Sequence, residues 1–258
     1  MRFGSSTFDT SPHATEGLRL QARFLSASHA GHGVVRIPHT SIIPLDATTT
    51  TTIRQLRMAH QLRCVIHAPI APPHLLHTQL STYAEFLTQI EAVDGVIICH
   101  MLSPSPDAWH MLRELPAPIR TYLAVELTNQ PVDSICNYGI PIIFDWLHYH
   151  IQGTWPYNPL MAAVTCHHTW GTRRPLLHLS SPDTSDYGEH HKHIHGRHSA
   201  YLDWATLMHF VGQLNAHIGD AFDIEIEAKA GAKAVAHFLR QCQLHTPPHW
   251  QHIWQSRL

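Results

Sequence analysis

Imidazole and carboxylate side chains close a series of short apolar runs along this chain of 258 residues. His67, His100, Glu126, Asp145 with His148, His178 and Glu227 each stand in or just beyond such a run. Neutral imidazole mixed with carboxylate is a ligand set that suits divalent transition metals. Taken singly, each of these residues would about as often be a hydrogen-bonded structural side chain. Recurring at the same end of six different runs, they point to one metal-bearing site.

The parity of side chains within the runs says which way they face, because alternate residues of a strand lie on opposite sides. In the last run Asp223, Glu225, Glu227 and Lys229 share one face, and Phe222, Ile224, Ile226 and Ala228 the other. If helices cover the outside, the apolar set faces them and the four charged groups point inward, where they need partners or a metal. A solvated edge strand with one wet face is the alternative. The same alternation turns Glu126 and His178 inward, and Asp145 and His148 can meet one ion if the chain bends into a loop after Trp146. The histidine-rich stretch 189–198, EHHKHIHGRH, reads as a solvated loop on the same side, with a weak adventitious metal site among His190, His191, His193 and His195. His198 stands apart from that loop because it directly precedes an amphipathic helix beginning AYLDW.

The elements that must position these residues alternate from end to end. Strand-like runs at 2–6, 34–39, 63–69, 95–101, 121–128, 141–148, 175–181 and 222–229 are separated by segments of helical period at 17–30, 52–61, 74–92, 107–115, 159–170, 200–217 and 230–244. Eight strands in that order predict an α/β fold, a single (β/α)8 TIM barrel occupying 1–258 as one domain. Only about two helical turns fit into 131–138, so the helix between the fifth and sixth strands is abbreviated. The threonine run 48–52 reads as a helix start with a hydroxyl cap.

Composition narrows the function classes. Charged residues make up 14% and hydrophobic ones 44%, which argues against disorder, and no apolar stretch approaches the ~20 residues of a membrane span. The opening MRFGSSTFDT has no basic-then-apolar signal region and reads as a first strand, so a cytoplasmic location is the default. Five cysteines without a CxxC pair read as reduced structural thiols. A net charge of −2 gives no global pull toward nucleic acid, and nothing marks an obligate protein partner. The 26 histidines are too many to be ligands, so most are surface residues.

Several motifs resemble those of the UV damage endonuclease family, within the superfamily of metal-bearing barrels that includes xylose isomerase. MRFG and VRIPHTSIIPL resemble its first two strands, IPIIFDWLHYH its sixth-strand motif, and LHLSSP, HSAYLDW and DIEIEAK its closing motifs. The resemblance implies metal ligands at His67, His100, Glu126, Asp145, His148, His178, His198 and Glu227, with Lys229 matching a basic residue two positions beyond the last ligand. It implies two or three divalent ions, manganese foremost and zinc or magnesium otherwise, cutting damaged double-stranded DNA on the 5′ side of a lesion. The chain departs from the family at Leu176, where the family carries a lysine.

On that reading Glu126, Glu227 and Lys229 are the catalytic groups, and Arg36, Arg173, Arg174 and Arg197 bind substrate, with Lys192, along an open groove. Two other readings stand beside it. One keeps the metal and makes the protein a sugar isomerase, epimerase or other small-molecule enzyme, with Glu126 and Glu227 acting on a chelated substrate. The other is a barrel that binds without cutting.

Overall fold

The computed structural model of the protein describes residues 1–5, 16–29, 33–39, 42, 45–70, 73–100, 106–128, 131–152, 158–183 and 198–251. Eight strands, β1 (Phe3–Ser5), β2 (Val34–Pro38), β3 (Arg63–His67), β4 (Val96–Cys99), β5 (Leu123–Glu126), β6 (Ile142–Asp145), β7 (Leu176–Leu179) and β8 (Asp223–Ile226), pair in parallel with their sequence neighbours. β1 also pairs with β8, with Phe3 beside Ile224, so the sheet closes into the predicted (β/α)8 barrel.

The helices are α1 (Glu16–His29), α2 (Ala47–Ala59), α3 (Pro73–Gln89), α4 (Pro106–Arg113), α5 (Ala117–Arg120), α6 (Val132–Ile135), α7 (Trp146–Gln152), α8 (Pro159–His168), α9 (Trp204–Ile218) and α10 (Ala232–His245). Their apolar residues recur at helical spacing: Leu20, Phe24 and Ala27 in α1, and Val235, Phe238, Leu239 and Cys242 in α10, are all buried. These faces pack on the outward strand residues, such as Phe3, Ile37, Ile66 and Ile224, in one continuous core.

The abbreviated unit between β5 and β6 is the four-residue α6 followed by a 3-10 turn, Cys136–Tyr138. Three local expectations are corrected. α2 starts at Ala47, and its cap is the Asp46 carboxylate, which accepts the Thr49 N–H at 2.8 Å, so the threonines lie inside the helix. β6 stops at Asp145 and the chain turns at once into α7, with the Asp145 Oδ1 accepting the His148 N–H at 2.6 Å where a loop was expected. α9 begins at Trp204, capped by Asp203, and not at the expected 200, so His198 precedes the helix as expected but is held by a bridge to Pro182 and not by the helix start.

Inside the barrel the inward residues form three layers. At the N-terminal mouth Asp223 accepts from Arg2, Arg63 and Arg174 at 2.6–3.0 Å. Above it Val34, Val65, Val96, Ile98, Ala124, Ile143 and Leu176 make an apolar plug closed by Trp170. Gly4 belongs to this packing: a Cβ there would sit 2.4 Å from the Val34 Cβ, so only glycine lets β1 approach β2. The third layer, at the C-terminal mouth, is polar. Leu176 thus packs in the plug one layer below that mouth. Among the described residues no helix is long and apolar enough to cross a membrane.

Candidate metal centre

Strand register brings the polar residues together. Asp145 lies beside His178 across β6 and β7, and His178 lies beside Glu225 across β7 and β8. Glu126 at the end of β5 and Glu227 just beyond β8 complete a ring in which Glu126, Asp145, His178 and Glu225 are fully or almost fully buried.

One carboxylate oxygen or imidazole nitrogen each from Glu126, Asp145, His178 and Glu227 lie within 4.8 Å of one another. Two further sets, His67 with Glu126 and His178, and His67 with Glu225 and Glu227, overlap the first. The His178 Nδ1 is 3.2 Å from Glu126 and 3.7 Å from Asp145, and its Nε2 is 3.3 Å from Glu225. Yet both Glu126 oxygens, the Asp145 Oδ2, both His178 nitrogens and the Glu225 Oε2 are buried without a hydrogen bond. Each such orphan costs roughly 1–3 kcal/mol, more when charged, so the cluster is built for something that satisfies several of them at once. A divalent cation fits that donor set of one imidazole and three carboxylates.

Three other expected ligands stand around this centre. The His100 Nε2 is 3.5 Å and the His148 Nε2 3.2 Å from the Glu126 carboxylate, and the His198 Nε2 is 3.7 Å from Glu227. His67 stacks on His178 at 5.1 Å between ring centres, and its Nδ1 is 3.3 Å from the His100 Nε2. All eight therefore face one mouth, with Asp145 and His178 deepest.

The charges are mutually tuned. Burial works to raise the Glu126 carboxyl, but His178, His100 and His148 outweigh it and hold it well below the usual carboxylate range. Asp145 goes the other way, pushed up to about 7 by burial and then by the neighbouring Glu126 charge. Burial would lower His178 and His148, yet nearby carboxylates overcome it, raising His178 well above the ordinary imidazole value and His148 to about 9. His67 is lowered to about 4 by burial and by Arg36.

Sequence reasoning turned Glu225 inward with its neighbours but gave it no place in the site. The structure puts it behind His178: with Nδ1 facing the ligand cluster and Nε2 facing Glu225, the imidazole has the arrangement in which a second carboxylate fixes a metal-ligating ring. Arg36 holds the base of this layer, pairing with both Glu225 and Glu227. Its ion pairs keep Glu227 down at about 2 although burial alone would raise it.

Several expected residues lie elsewhere. Lys229 leaves the lumen: its side chain is 54% exposed and pairs with Asp183 on the rim. Parity ceased to apply because β8 ends at Ile226. Arg173 and Arg174 sit before β7, at the N-terminal mouth, with Arg173 on the Leu123 carbonyl and Arg174 on Asp223. Arg36 is partly buried and committed to ion pairs with Glu225 and Glu227. Arg197, Lys192 and the histidines 190, 191, 193 and 195 lie outside the described residues.

No protein-family model matches the chain, and no curated protein matches it in sequence. Solved structures do share its fold. The apo 3-keto-D-glucoside 4-epimerase of E. coli is 14% identical, covers 95% of this chain and 100% of its own, and gives a TM-score of 0.61. D-psicose 3-epimerase of Clostridium cellulolyticum H10, solved with D-tagatose, is 11% identical over 91% of this chain and 90% of its own, TM-score 0.60. A xylose isomerase-like TIM barrel protein of Mycobacterium smegmatis in complex with magnesium is 10% identical over 88% and 87%, TM-score 0.56.

Structures of like fold are mostly of sugar epimerases and isomerases, and of the arginines expected to follow a DNA backbone Arg173 and Arg174 are placed at the opposite mouth while Arg36 is spent on Glu225 and Glu227. The expectation of a DNA-repair endonuclease incising damaged DNA is overturned on both counts. No UV damage endonuclease kinship is shown; the likeness is to the xylose isomerase-like TIM barrels, and it is one of fold.

Proposed function

We propose that this protein is a divalent-metal-dependent isomerase or epimerase acting on a small sugar or similar polyhydroxy carbonyl compound at the C-terminal mouth. The observation that carries this reading is the set Glu126, Asp145, His178 and Glu227, supplied by four successive strand ends and left with orphaned buried donor and acceptor atoms. It is supported by the sugar epimerases and isomerases that share the fold. A manganese, zinc or magnesium ion held by these four would polarise the adjacent carbonyl and hydroxyl oxygens of a bound sugar.

Glu126 and Glu227 converge on that position from β5 and from the residue after β8. Both carboxyls are held below their ordinary values, so both are ionised at neutral pH and either can take a proton from the carbon next to a carbonyl. The carboxyl that took the proton can return it to a neighbouring carbon, which isomerises the sugar; once the other carboxylate has taken up a proton from solvent, it can deliver that proton to the opposite face while the first releases its own to solvent, which inverts the carbon. His148, raised to about 9, is protonated at neutral pH and stands 3.2 Å from Glu126, where it can donate to a developing oxyanion. The apolar plug below, with Leu176 and Ile143, closes the lumen to water from beneath.

Exchange of a substrate carbon-bound hydrogen with D2O tests this directly. Manganese-loaded protein with a panel of ketoses and 3-keto sugars should incorporate deuterium next to the carbonyl, and Glu126→Gln and Glu227→Gln should lower the rate by roughly 10²–10⁴-fold. Loaded protein that exchanges no hydrogen on any member of the panel would refute the reading.

A further inference from the structure

The opposite mouth of the barrel carries a pocket that the metal chemistry does not use. It has a volume of about 270 Å³ and lies under the starts of β5, β6 and β7, between Arg113, Arg120 and Arg173, with Trp170 as its wall. No acidic residue lines it. Arg113 and Arg120, at the ends of α4 and α5, are exposed and make no ion pair among the described residues.

Arg173 is the informative member. Its Nη1 donates to the Leu123 carbonyl at 2.9 Å, and its guanidinium carbon lies 5.1 Å from the Trp170 ring centre. The Nη2 is buried and has no hydrogen-bond partner. Arg63 approaches the same indole at 5.6 Å, but its charge is answered by Asp223, whereas Arg173 has no carboxylate among the described residues. A buried guanidinium N–H without an acceptor is costly, and burial together with Arg63 lowers the Arg173 pKa to about 10. An anion in the pocket would supply the acceptor and the counter-charge together.

We propose that this pocket is a binding site for a small phosphate-bearing anion, gripped by Arg113, Arg120 and Arg173. The planar guanidinium fork matches phosphate oxygens two at a time. The volume falls just below the roughly 300 Å³ at which small-molecule pockets begin, which favours inorganic phosphate or a compact phosphate ester. Gly139 and Gly171, both with positive φ, border the pocket, and a Cβ on either would meet nothing within 4 Å, so the entrance is unobstructed there.

The test is calorimetric titration of metal-stripped, dialysed protein at constant ionic strength, so that phosphate cannot bind through a metal ion at the C-terminal mouth, and the arginine variants report on the N-terminal pocket. Inorganic phosphate and a hexose phosphate are titrated separately, with the unphosphorylated hexose as control, so that free phosphate and phosphate ester are told apart. Saturable one-to-one binding of either phosphate is expected, weakened at least tenfold by Arg113→Glu and by Arg120→Glu, whose exposed positions leave the fold intact. Arg54→Glu, which alters an exposed arginine paired with Glu91, should leave it unchanged. Absence of saturable binding, an equal loss in Arg54→Glu, or full binding in both pocket variants would overturn the proposal.

Discussion

The two ends of this barrel handle buried charge in opposite ways. At the N-terminal mouth one aspartate, Asp223, is met by three arginines with hydrogen bonds to both oxygens, and that carboxylate is fully satisfied. At the C-terminal mouth Glu126, Asp145, Glu225 and Glu227 crowd around imidazoles and one arginine, and several of their atoms have no partner. Both layers line the same strands, separated by one apolar plug. The difference teaches where stability and chemistry are invested: a satisfied cluster holds the strands in register, and an unsatisfied one waits for a ligand.

The sharpest way to break this comparison is to open the closed end. Asp223→Ala strands Arg2, Arg63 and Arg174 around an empty position, and removal of one partner of a buried ion pair costs about 3–5 kcal/mol. Chemical denaturation should show that loss while manganese affinity of the folded fraction stays within about twofold. A variant that lost metal binding at equal stability would mean that the two ends are not independent.

At the open end the expectation reverses. His178→Ala removes the only imidazole of the four-residue set and should weaken manganese binding by at least about 100-fold, exceeding what outer-sphere changes cause. The metal-free variant should also be less stable than the metal-free parent, because the protonated imidazole there answers the charges of Glu126 and Glu227. Glu225→Gln is the milder probe. It keeps the shape behind the His178 Nε2 but removes the charge, and should weaken manganese binding about 10–100-fold, read by competition with a fluorescent chelator. No change would reduce Glu225 to a partner of Arg36.

Much of the barrel was legible because strands alternate strictly. Parity alone turned Glu126, His178, Asp223, Glu225 and Glu227 inward, and apolar runs between helical segments gave the eight strands. The same rule failed where strands stop. Lys229 was projected inward by a strand that ends three residues earlier, and the sixth run was carried to His148 with a loop after Trp146 because WLHYHIQ continues the apolar run while already helical. Arg173 and Arg174 were misplaced for a different reason. They precede their strand, so in a parallel barrel chain direction sends them to the N-terminal mouth whatever their charge suggests. The motif resemblance supplied an expected ligand set, and short motifs of that kind do not report which substrate the mouth admits.

The prediction that contrasts the two ends most directly is the response to pH. Burial would raise Asp223, yet its three arginines hold it below the ordinary carboxylate range. Its stabilising contribution is therefore complete above about pH 4 and is lost as pH falls through its folded value. Asp145 is shifted the other way, to about 7, so metal-free protein keeps a proton there at pH 6, and a cation must displace it. His178, raised by Glu227 and Glu126 against burial, holds a second proton that a cation must also displace. Manganese affinity should thus fall by at least about tenfold for each pH unit below 7, approaching a hundredfold where both protons leave. Proton release on binding, measured in buffers of different ionisation enthalpy, separates this from a change in folding, since Asp223 is already ionised across the same range. An affinity that stays level from pH 7 to 5.5 would place the cation away from Asp145.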